Sequence, residues 1–127
     1  MGEPRVNLLI AGYAAPKGSR TFLGGGRSKE SSARVAAWVD QVAYAARANR
    51  PGGKMLEPPY EVEMTFAMPE GESPKWGWPS SDGDLDKLVR ATLDGLVKGA
   101  LLLDDRHVIA LAARKRFGGP CAAVRVL

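Results

Sequence analysis

One cysteine and one histidine are all the thiolate and imidazole ligands that these 127 residues offer a zinc ion. A lone Cys121 excludes an intramolecular disulfide and a cysteine cluster, and within PCAAVRVL it reads as a small buried apolar residue. His107 has no second histidine or cysteine to help it hold a metal, so it is expected as a strand residue satisfied by a neighbour. No apolar run approaches the roughly 20 residues that span a bilayer, which excludes a membrane helix, and no membrane partner is expected. The opening MGEPRVNLLIAGYAAPKG is too short in apolar residues, with an acid ahead of them, to read as a signal peptide. Asn7 stands near the position where a myristoylation motif requires Ser or Thr. Walker A and Rossmann spacings are missing too. Gly24 to Gly26 therefore read as a flexible turn, with backbone approach to a phosphate as the weaker alternative. No internal repeat or low-complexity tract occurs. A cytoplasmic setting is expected.

Charge is where the chain departs from the ordinary. Lys and Arg number 18 against 14 Asp and Glu, a net charge of +4. The acids, however, are concentrated: DGDLDKLVRATLDGLVKGALLLDD, residues 82–105, holds Asp82, Asp84, Asp86, Asp94, Asp104 and Asp105 beside only Lys87, Arg90 and Lys98. Elsewhere 15 bases face 8 acids. A basic body around an acidic centre suits a polyanion held while a divalent cation acts on it.

Periodicity gives the scaffold. RVNLLIAGY, residues 5–13, reads as a first strand, its continuous apolar run suggesting burial on both faces. A Gly-, Ser- and base-rich loop follows. Ser31 or Ser32 then caps an amphipathic helix carrying Val35, Trp38, Val39, Val42, Ala45 and Ala46, ended by Asn49 and PGG. YEVEMTFAMP, residues 60–69, alternates as a half-buried strand. Residues 70–83 are a loop. Its Trp76 and Trp78 either stack on bases or pack over the edge of the core, and the second is the more ordinary fate of large aromatics. From Asp86 a second helix presents Leu85, Leu88, Val89, Thr92, Leu93 and Leu96 to the core, with Gly99 as its C-cap. HVIALAARKRF is the next strand, and Gly118, Gly119 and Pro120 turn it into CAAVRVL. The order β-α-β-α-β-β implies one α+β domain over residues 1–127: a small, mostly antiparallel or mixed sheet with two helices packed on it.

Asp84 and Asp86 stand two apart where extended chain enters a helix, so both carboxylates converge on one volume. Asp104 and Asp105 lie at the mouth of the following strand. Ionised carboxylates brought together repel, and a hard cation that keeps oxygen ligands and waters, Mg²⁺ or Mn²⁺, relieves them. Plainer roles stand beside this one. Asp86 can complement a helix N-terminus, Asp94 can pair with Arg90 and Lys98 along a solvated face, and Asp104 can serve a turn.

Taken in order, these residues resemble the RusA family of Holliday junction resolvases. The family pattern D-x-D-N-x-x-K, then D-x-L, then an apolar run closing in D-D before a basic-ended strand, stands here as Asp84-Leu85-Asp86-Lys87-Leu88-Val89-Arg90, Asp94-Gly95-Leu96, LLL-Asp104-Asp105 and Lys115. APKGSR, with Lys17, Gly18 and Arg20, looks like the family's basic loop after the first strand. The resemblance implies a Mg²⁺-dependent endonuclease (Mn²⁺ as substitute) of bacterial or phage setting, working as a homodimer that nicks four-way junction DNA symmetrically in recombination and repair. It implies Asp84, Asp86 and Asp105 as the essential acids and metal ligands; Asp104 stays open between the turn and a secondary metal role. Arg90 stands where the family has an essential lysine, and Lys87 where it often has asparagine. Arginine cannot exchange a proton but can clamp a phosphate. Lys17, Arg20, Lys87 and Lys115, with Arg27, Lys29, Arg114 and Arg116, would hold DNA through its phosphates. A C2 dimer suits a substrate of approximate twofold symmetry. Two other readings stay open: a catalytically silent junction-binding protein on the same scaffold, and a small-substrate phosphohydrolase or nucleotidyltransferase.

Overall fold

A computed structural model describes residues 3–15, 24–70, 76–80 and 83–127. Four strands and two helices follow in the expected order: β1 (Val6–Ala11), α1 (Gly24–Ala48), β2 (Tyr60–Met68), α2 (Leu85–Lys98), β3 (Val108–Phe117) and β4 (Cys121–Val126). Two single turns of 3-10 helix, Pro51–Gly53 and Asp105–His107, punctuate the connections.

The sheet runs β1-β4-β2-β3. β4 is antiparallel to both β1 and β2, while β3 lies parallel to β2. Parallel neighbours need a crossover, and α2 is that crossover. In such a unit the helix starts at the carboxyl ends of its strands and runs back, so the next strand begins where the helix ends. This single topological fact decides the arrangement of the site.

Burial follows the strand period. Tyr60, Val62, Met64, Phe66 and Met68 of β2 are buried, as the alternation predicts, with Ala122, Val124 and Val126 of β4 beside them. β1 corrects an expectation. Val6, Leu8 and Ile10 are buried but Leu9 is 77% exposed, so the strand is covered on one face only. Its apolar run hid a plain period of two. α1 also begins earlier than Ser31 or Ser32, at Gly24, so the three glycines form its first turn and are not a loop. The Lys17 and Arg20 expectations lie outside the described residues.

The helices are clasped to one another. Buried Thr92 donates to the Leu88 carbonyl at 2.8 Å and accepts from the Trp38 indole N–H at 3.1 Å. Gly95 lets the helices close: a Cβ there would stand 2.5 Å from Val42 Cβ and 2.9 Å from the Val39 carbonyl oxygen. The buried helical face, Leu88, Val89, Ala91, Thr92, Gly95 and Leu96, contains the expected stripe apart from the half-buried Leu85 and Leu93. Lys98 pairs with Asp40 of α1, which takes the last member of the expected Asp–Arg–Asp–Lys ladder across to the other helix.

Candidate active site

Asp84 is the N-cap residue of α2, with extended backbone (φ −75°, ψ 142°) and no hydrogen bond from its side chain to the helix. Its carboxylate is 73% exposed and lies 3.6 Å from the Lys87 ammonium. Asp86 is in the first turn and exposed, and Arg90, a turn further on, is exposed as well. A capping aspartate ordinarily spends its oxygens on the first N–H groups of the helix. Here the oxygens face outward, where the positive end of the helix favours negative charge. The cap is Asp84 and the helix begins at Leu85, so Asp86 is its second residue.

β3 supplies the wall of this corner. The Lys115 ammonium donates to the Gly83 carbonyl at 3.0 Å, next to Asp84. At the same strand end, the Gly118 N–H donates to the Met68 carbonyl at 2.9 Å. The chain therefore leaves β2 and re-enters α2 at one place, beside the basic run Arg114-Lys115-Arg116. Lys115 thus combines a positioning bond with its charge, which its spacing in the sequence did not disclose.

Asp105 is elsewhere. Together with Asp94, Val97, Lys98 and Asp104 it lines an open hollow beside the C-terminal half of α2. The fourteen residues of α2 rise about 21 Å from end to end at about 1.5 Å each. Asp84 and Asp105 are thus set at opposite ends of the crossover helix, and no group of three His, Cys, Asp or Glu among the described residues could share an ion. One chain does not bring Asp84, Asp86 and Asp105 to one point. The physical reason is the parallel crossover: β3 starts where α2 stops.

Asp104 is committed to a turn. Its carboxylate accepts from the Arg106 N–H at 3.0 Å, capping the 3-10 turn Asp105–His107. That backbone bond, and then the neighbouring Asp105 side chain, hold the Asp104 carboxyl below its ordinary value. His107 closes the same turn and so precedes β3, where the alternation had placed it inside the strand.

Trp76 and Trp78 are 49% and 59% exposed, with rings stacked 5.4 Å apart at 14° to each other. They pack on each other. Ile109 and Leu111, on the edge strand β3, are 69% and 47% exposed. No helix of the described residues is long and apolar enough to cross a membrane.

Against known families, residues 16–127 match the one described as endodeoxyribonuclease RusA. No curated protein matches the chain.

Proposed function

The chain belongs to the RusA endodeoxyribonuclease family, and from that premise we propose that it is a divalent-metal-dependent nuclease nicking four-way DNA junctions in recombination and repair, in a bacterial or phage-infected cytoplasm. The observation that carries this reading is the corner at the start of α2. Two exposed carboxylates, Asp84 and Asp86, stand there beside the cations Lys87 and Lys115.

The donors suit Mg²⁺, which binds through one or two carboxylates plus substrate phosphate oxygens and keeps its remaining waters. Asp84 and Asp86 would hold it. Once bound, the ion supplies Lewis-acid polarisation of the phosphoryl group and a more acidic water. Arg90 would face the scissile phosphate. Its guanidinium stays charged, so it clamps oxygens and stabilises developing charge without exchanging a proton. Lys87 and Lys115 draw the DNA backbone into the corner, and Lys115 also fixes Gly83, and with it the start of the helix.

Asp105 joins such a site only from a second copy. Among the described residues the outer edge of β3 is unpaired. An antiparallel partner strand centred near Ala110 would lay the Asp104–Asp105 end of one chain beside the Arg114–Arg116 end of the other. Opposite charges would then meet at both ends, with the exposed Ile109 and Leu111 between them. Such a homodimer presents two sites related by a twofold axis, as paired nicks on a junction require.

Incubation with a four-way junction and Mg²⁺ should give paired symmetric nicks, lost without the ion, and Asp86→Asn should bind the junction but leave it uncut. Equal cutting by Asp86→Asn would sink the assignment. The arginine at position 90 favours a second reading, a junction-binding protein that does not cut. Binding without nicks under either Mg²⁺ or Mn²⁺ would select it.

A further inference from the structure

Tryptophan is among the side chains most buried on average, and Trp38 of this chain, 2% exposed, obeys. Trp76 and Trp78 do not. Their rings lie nearly parallel and each keeps about half its surface in solvent. Gly77 between them meets nothing nearby, whereas Pro79 is buried and anchors the chain immediately after the pair. The result is a flat aromatic surface on a fixed footing.

Its place in the fold is equally specific. The stretch that carries it leaves β2 at Met68 and reaches α2 through Gly83 and Asp84, and its two ends are held by Gly118, just past β3, and by Lys115 of β3. Those tethers are at the Asp84–Asp86 end of the sheet. Six residues of chain separate Trp78 from Asp84, a reach of at most about 21 Å at about 3.5 Å each. That is about six base steps of a DNA strand.

We propose that Trp76 and Trp78 form a stacking ledge for an unpaired nucleobase of the strand entering the Asp84–Asp86 corner. The inference rests on the DNA-cutting reading above and adds a specificity element to it. Every base offers a π-face, so an aromatic ledge accepts any sequence provided the base is out of its duplex stack. Duplex DNA keeps its bases covered, while the crossover of a branched substrate is where bases are most easily uncovered. Neighbouring cations Arg114, Lys115 and Arg116 would track the backbone as the ledge takes the base. Discrimination of branched or single-stranded DNA from plain duplex would follow without any base-edge contact.

The test compares wild type with Trp76→Ala/Trp78→Ala and Trp76→Phe/Trp78→Phe, for binding to a short oligothymidylate, to linear duplex and to a four-way junction carrying 2-aminopurine at the crossover. Thermal unfolding confirms that each variant is folded. The ledge predicts that the alanine pair loses about ten-fold or more in oligothymidylate affinity per stacked base. Duplex affinity should hardly change, the 2-aminopurine signal should be lost, and the phenylalanine pair should restore most of the binding. Equal losses on duplex and single strand, or no loss on either, would overturn it. If wild type itself bound no DNA, the nuclease reading would fall as well, so the two failures are distinguishable.

Discussion

Thr92 shows how one hydroxyl serves two helices. It satisfies the indole N–H of Trp38 while bonding back to its own helix at Leu88. Thr92→Val keeps the volume but leaves that buried N–H unpaired, which should cost about 1–3 kcal/mol in urea unfolding. An unchanged midpoint would show that the clasp contributes little. Asp104 makes a pH-dependent contribution instead. Its carboxyl is lowered from 3.8, first by the Arg106 N–H, so the ionised form is the one the turn stabilises. A depressed folded value means that this stability is fully present above the unfolded value and fades as pH falls through the folded one. Carboxyl chemical shifts should place the Asp104 midpoint below 3.8. A midpoint at or above that value would remove the capping role. The residue types of the site were legible in the sequence, since a D-x-D pair entering a helix needs no fold to be seen. The Lys115–Gly83 bond was not, because 32 residues of chain separate its ends.

At the scale of elements, α2 is both wall and spacer. Its core stripe was readable from spacing alone, because apolar positions three and four apart can only face one way. Gly95 was not readable as a packing residue. Nothing in its neighbours along the chain announces Val42 and the Val39 carbonyl across the interface. Replacing it tests which of two effects wins. Alanine gains up to about 1 kcal/mol of helix propensity over glycine, whereas overpacking a closed interface costs about 1–3 kcal/mol. Gly95→Ala should therefore unfold at lower urea, and a more stable variant would show that the helices part easily. β1 teaches the reverse lesson about reading runs of apolar residues. Leu9 looks like core beside Leu8 and Ile10, yet it faces solvent, because the helices cover only one side of the sheet.

For the whole molecule, the α+β class and element order followed from periodicity and turn residues, but the strand order did not. That order sends β3 parallel to β2, through α2, to an open edge of the sheet. It also parts Asp105 from Asp84 and Asp86, a separation that no spacing in the sequence reveals. On the reading proposed above, the separation calls for a site shared by two chains. Arg90 and the basic end of β3 would stay with Asp84 and Asp86, and each copy would lend its Asp105 to the other. The most direct test mixes two inactive variants, Asp86→Asn and Asp105→Asn, by co-refolding, and assays the mixture on a four-way junction with Mg²⁺. Mixed dimers then carry one site with both substitutions and one with neither. Cleavage should reappear in the mixture, one nick per junction, although each variant alone is silent. A mixture as silent as its components, alongside an active wild type, would contradict the shared site.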